Sequence, residues 1–146
     1  MTTKPTLVEP QRIVLSREDI FKASDIVTEW VSVPEWFNGN PAGGVYVQGM
    51  TAGERDQLES SMLTDKGKRN MDRMAQFRSR VLLLCCVDES GRKIFQPTDV
   101  TAISRKSMRA VERVLDVAQR LSGMTEEDVD QLTGNSNGQD AESSSI

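Results

Sequence analysis

Few side chains in this sequence are suited to chemistry. Histidine is absent, which removes the commonest general base and the commonest metal ligand. A Ser-His-Asp or Cys-His arrangement therefore cannot be assembled. Cys85 and Cys86 are adjacent, whereas zinc sites space their cysteines apart. They read as two small buried residues in the apolar run 81–87. Neighbouring carboxylates occur at Glu126, Glu127 and Asp128. These fall in the first turn of an expected helix, where negative charge complements the helix dipole. Gly43 and Gly44 lie in a loop and do not lead from a strand into a helix, as phosphate-binding loops do. No reaction, cofactor or metal is implied, and a binding protein is expected rather than an enzyme.

The candidate binding residues fall in three places. Residues 66–80 hold Lys66, Lys68, Arg69, Arg73, Arg78 and Arg80 against Asp72 alone. Such a run is either a patch for nucleic acid or acidic partners, or the solvated face of an amphipathic helix. No aromatic side chain suited to base stacking interleaves apart from Phe77, and the solvated face is the reading adopted. Trp30 and Trp36 flank an expected hairpin bend, as partner anchors or as the packing that two strands need. Met108, Val111, Leu115 and Ala118 recur at helical spacing. That stripe is a core face or a groove for a partner helix.

Positioning these residues requires a core, and 146 residues suffice for one domain that buries a core without staples. Hydrophobic residues make up 37% and aromatics 5%, so Leu, Val, Ile, Met and Ala must fill that core. The longest apolar run, 81–87, is too short to span a bilayer, and the N-terminus shows no signal peptide. A cytoplasmic protein with no membrane contact is expected. The net charge of −4 is uneven, because residues 124–146 carry six acidic side chains and no Lys or Arg. The rest of the chain is close to neutral, which argues against nucleic acid as the main partner.

The elements follow from local signals. Residues 1–12, with Pro5 and Pro10, are expected to be flexible. Ser16 caps a short helix over residues 17–23. Residues 28–33 and 45–48 read as the two strands of a hairpin, joined by a loop rich in Gly, Asn and Pro. Thr51 and Glu54 form a capping box that opens a helix to about residue 63. A longer helix is expected over residues 69–87. Its last seven residues fit a buried helix end or a buried strand, and continuity with Met74 and Phe77 favours helix. Residues 88–91 are a turn, 93–95 a short extended piece, and Pro97 opens a helical turn. The last long helix is expected over 104–122, with Gly123 as its left-handed cap. Thr125 starts another short helix. Together these predict an α+β fold: a mostly helical single domain over residues 13–133. It has four or five helices and one N-terminal hairpin near 28–49, followed by a disordered acidic tail over 134–146.

Laid in order, several segments carry a family likeness. A strand ends in Val33-Pro34-Glu35-Trp36 before a Gly-rich bend, and Val45-Tyr46-Val47 runs into Met50-Thr51-Ala52-Gly53-Glu54-Arg55-Asp56. Val87-Asp88-Glu89-Ser90-Gly91-Arg92-Lys93-Ile94-Phe95 follows a basic helix. Ala118-Gln119-Arg120-Leu121-Ser122-Gly123 then precedes Thr125-Glu126-Glu127-Asp128-Val129. This order resembles the tail assembly chaperones of siphophages and prophages, over about residues 13–133. The resemblance implies a protein that binds the tape-measure protein in the host bacterial cytoplasm and keeps it soluble. It further implies recruitment of tail tube subunits, self-association along the client, and absence from the finished virion. It also implies a longer frameshifted product, of which this chain is the shorter form. The other reading compatible with such a body is a structural phage protein, a minor tail or head–tail connector subunit.

Overall fold

The computed structural model describes residues 10–134. The expected acidic tail, apart from Gly134, and most of the expected flexible N-terminus lie outside these residues. The fold is α+β, with a small antiparallel sheet and seven α-helices among the described residues.

Helix α1 (Arg17–Lys22) is opened by the Ser16 and Asp19 capping box. Strand β1 (Thr28–Ser32) pairs antiparallel with β2 (Gly44–Gln48) in the expected hairpin, Trp30 opposite Tyr46 and Val31 opposite Val45. A one-turn 3-10 helix (Pro34–Trp36) lies in the connection, and the bend passes through Asn38 and Gly39, both at positive φ. Helix α2 (Ala52–Ser61) carries the Thr51–Glu54 capping box read from the sequence.

The single helix expected over 69–87 is three elements instead. Asn70 caps α3 (Met71–Ala75), Gln76 leaves helical geometry, and α4 (Phe77–Cys85) follows. Cys86–Val87 is a strand, β3, that pairs with Tyr46 and Val47 of β2. The apolar run is therefore helix for most of its length and strand at its end. Both states bury it, so apolar content alone could not choose. The hydrogen bonds of β2's second edge decide the matter. Of the extended piece expected over residues 93–95, only Lys93 pairs, in a single bridge to Val87, and Ile94 and Phe95 form a bend.

A 3-10 turn (Pro97–Asp99) then leads into α5 (Val100–Ser104). Helix α6 (Met108–Leu121) starts later than residue 104, because the Ser107 hydroxyl caps it. Gly123 is at φ +67, as a left-handed cap requires. Helix α7 (Glu126–Thr133) is opened by the Thr125–Asp128 capping box. The helix count exceeds the expected four or five because the long helix divides and α5 stands as an element of its own.

The core gathers on α4 and α6. Val81, Leu82 and Cys85 of α4 meet Ala110, Val111, Val114, Leu115 and Ala118 of α6 in one buried cluster. Val31, Val33, Val47 and Cys86 add the inner side of the sheet, and Leu58 and Met62 add α2. Ser122, just past α6, accepts a hydrogen bond from the Met50 backbone at 2.9 Å and so ties the end of β2 to the end of α6.

Candidate functional site

The structure separates the residues singled out in the sequence. Val111 and Leu115 are core residues, 5% and 3% exposed. Met108 begins the same helix but lies in its first turn, beyond the packed region, and is 54% exposed. The α6 stripe is therefore one buried face with an open end. Trp30 and Trp36 also part company. Trp30 is half exposed on the outer side of the sheet, its ring edge-on to Tyr46 with centroids 5.1 Å apart. Trp36 is half-buried against the core.

Trp36 lines a cleft of about 500 Å³ with Glu35, Asn38, Phe95, Asp99, Ala102, Ile103 and Lys106. The chain assembles it from three distant pieces: the hairpin connection, the stretch after β3 and the α5 turn. Pro34 opens a three-residue 3-10 turn that ends at Trp36, whose N–H bonds to the Val33 carbonyl at 3.0 Å. Pro97 and the Asp99 carboxylate, which accepts the Gln96 N–H at 2.7 Å, fix the opposite wall. The floor is apolar, and Ile103 is fully packed.

The rim is electrostatically organised. Arg113 of α6 grips Glu35 with two hydrogen bonds of 2.7 and 2.8 Å, in the paired geometry that suits guanidinium and carboxylate. That bond holds the Glu35 carboxyl down at about 2, with Arg113 and Arg109 adding charge attraction. The hairpin connection is thereby pinned to α6 and the cleft is held open in a fixed shape.

One atom in this region has no partner. The Trp36 indole nitrogen is buried and no described group accepts its hydrogen. A buried donor left unpaired costs free energy, and such groups call for an explanation. The apolar floor and the polar rim of Glu35, Asn38, Asp99 and Lys106 suit the capture of an apolar side chain carried on a polypeptide.

The other chemistry-bearing residues are disposed differently. Cys85 and Cys86 are free and fully buried, and burial pushes both thiols up to about 12. Arg78 pairs with Glu112 at 3.3 Å, and Arg80 is partly buried with its guanidinium on Gln76 at 2.9 Å. The break at Gln76 also interrupts the helix, so the basic stretch is not one continuous exposed stripe. Among the described residues no group of three His, Cys, Asp or Glu is placed to hold a metal ion, and no helix is long and apolar enough to cross a membrane.

Two features were not read from the sequence as sites. Phe95 was read only as part of an extended piece, and Ala102 and Ile103 fell between the turn opened by Pro97 and the last long helix, because nothing local marks them as neighbours of Trp36. The segment before β1 was read as a helix and not as a surface, although Ile13-Val14-Leu15 and Ile20-Phe21 were visible signals. Comparison with known proteins identifies no relative: no family model, no curated protein and no solved structure matches this chain.

Proposed function

We propose that this protein is a tail assembly chaperone of a long-tailed phage. In this reading it binds the helical, apolar tape-measure protein, keeps it soluble and helps recruit tail tube subunits. It acts in the host bacterial cytoplasm and leaves before the virion is complete. The ordered sequence likeness over residues 13–133 motivates the reading. The cleft at Trp36 is the structural observation that carries it, because an apolar floor ringed by polar groups is a seat for an anchor side chain of a client helix. Met108, exposed at the start of α6, offers a further adaptable apolar contact.

The test is co-expression of the full chain with the tape-measure protein of the same genome, followed by size-exclusion chromatography. A soluble complex is expected where the client alone precipitates. Trp36→Ala combined with Ala102→Asp on the cleft wall should abolish it. A client that is soluble alone and does not bind the folded chain overturns the proposal.

The exposed segment before β1 favours a second reading, a minor tail or head–tail connector subunit, since apolar arms are what lattice subunits use to lock together. Peptides of this chain in purified mature virions would establish that reading.

A further inference from the structure

The outer face of the sheet carries an aromatic corner. Trp30 of β1 lies opposite Tyr46 of β2, and Tyr46 lies opposite Val87 of β3, so the three share one face. Val31 and Val47, on the other face, belong to the core. Gly44 makes room for the indole, since a Cβ there would stand 2.9 Å from Trp30 Cζ2. Trp30 thus lies over Gly44 and stays 48% exposed. Its ring meets that of Tyr46 at 67° with centroids 5.1 Å apart, which makes a corner and not a stack. Ile94 stands across from it, held beside β3 by an N–H bond to the Cys86 carbonyl at 3.2 Å. These residues line an open hollow of about 490 Å³.

Two acids complete the hollow, and the turn after β3 places them. Asp88 Oδ1 accepts the Ser90 N–H at 2.8 Å, the Ser90 hydroxyl at 2.7 Å and the Arg92 N–H at 3.0 Å. Gly91, at φ +87, lets the chain reverse, and the Asp88 N–H bonds to the Arg92 carbonyl at 2.8 Å. The bonds from Ser90 and then Arg92 hold the Asp88 carboxyl below its ordinary value, and the Arg92 charge adds to this. Glu89 beside it lines the hollow and makes no hydrogen bond or ion pair among the described residues. The lining contains no Lys or Arg.

Both parts attract the same kind of group. An aromatic face is negative and draws a cation to it. A carboxylate without a counter-ion accepts charge-assisted hydrogen bonds. Together they favour a flat cation that carries N–H donors. A guanidinium stacks on an indole and donates in its plane at the same time, and it sheds water more readily than an ammonium does. A quaternary ammonium has no donor for Glu89. The hollow is open, with Trp30 and Ile94 48% and 41% exposed, so it holds a head group reaching in from a larger surface.

We propose that this hollow seats an arginine side chain presented by a partner polypeptide. The guanidinium lies on the Trp30 ring and donates to Glu89, and its stem runs along Tyr46 and Ile94. The hollow shares no lining residue with the Trp36 cleft, and the inference does not depend on the reading of that cleft.

The experiment is an NMR titration of the full, isotope-labelled chain, which reads both indole N–H signals and the backbone amides. The probe is a glycine–arginine–glycine tripeptide with acetylated and amidated ends, so that arginine carries its only charge. Saturable shifts are expected at the Trp30 indole and at the amides of residues 44–46 and 88–90, with half-saturation at about 1–10 mM. The Trp36 indole should stay in place. The same tripeptide with citrulline keeps the shape without the charge and should give no saturable shift. Lysine in place of arginine should bind about threefold more weakly. Glu89→Gln, at an exposed position, should weaken arginine binding about threefold. Trp30→Leu should abolish saturation at residues 88–90, and an unmoved Trp36 indole signal shows that this variant is folded. The absence of a saturable shift up to about 50 mM overturns the proposal. So does citrulline or lysine binding as tightly as arginine, unchanged affinity in Glu89→Gln, or shifts centred on the Trp36 indole. Free guanidinium ion binding as tightly as the tripeptide also overturns it, by making the occupant a small cation and not a side chain.

Discussion

Two residue-scale arrangements lead to measurable behaviour. Glu35 has its carboxyl lowered from 4.5 to about 2 by Arg113, so the folded state holds its charge more tightly than the unfolded chain does. The stabilisation is complete above the unfolded value near 4.5 and is lost as the pH falls toward 2. Arg113→Ala should therefore lower the melting temperature at pH 7, and the gap to the parent protein should narrow steadily below pH 4.5. Thermal melts of both proteins from pH 7 to pH 2.5 check this; a gap that widens on acidification contradicts it. The cysteines give the second prediction. With both thiols raised to about 12 by burial, almost no thiolate exists near neutral pH. Iodoacetamide should leave Cys85 and Cys86 unlabelled in the native protein and modify both in guanidinium, as read by mass spectrometry.

At the scale of elements, close approach and burial set the costs. Gly49 follows β2 where the chain passes the end of α6. A Cβ there would stand 2.6 Å from the Leu121 carbonyl oxygen, which is backbone and cannot swing aside. Gly49→Ala should cost about 1–3 kcal/mol through overpacking, read as a lower denaturant midpoint with an unchanged slope. Helix α4 is the hub of the core, and Leu82 is fully buried in it. Leu82→Ala should cost about 2–5 kcal/mol by the same measurement. Lys93 shows how neighbouring elements are tied: it donates to the Leu84 carbonyl and pairs with Glu54 at 2.6 Å. Burial pushes the Glu54 carboxyl up, but the bonds from Lys93 and Thr51 outweigh it and hold the group below its ordinary value. The segment after β3 is thus fastened both to α4 and to the first turn of α2.

For the whole molecule, the segment before β1 and the body differ in stability. The body encloses one continuous apolar cluster, while residues 10–25 contribute nothing to it. Amide hydrogens of α1 should exchange rapidly, whereas those of α4 and α6 should be protected. Hydrogen exchange followed by mass spectrometry checks both, and protection of α1 equal to that of α4 would contradict the difference.

The sequence by itself determined most of the local structure. The Ser16 N-cap, the Thr51 capping box, the helix start at Thr125, the hairpin strands around a Gly- and Asn-rich bend, and Gly123 beyond α6 were all legible, because each is enforced by backbone hydrogen bonds or φ within a few residues. The α+β class followed from their order. What the sequence left open depended on contacts between distant residues. Whether residues 86–87 are helix or strand was decided by the free edge of β2, some forty positions earlier. The division of α3 from α4 falls at Gln76, which leaves helical geometry with no side-chain cap for α4, while the late start of α6 is set by the Ser107 cap, a local signal that competes with Ser104 one turn earlier. The Trp36 cleft joins residues up to 71 positions apart. Glu35 on its rim meets Arg113 across 78 positions, and no periodicity along the chain records that meeting.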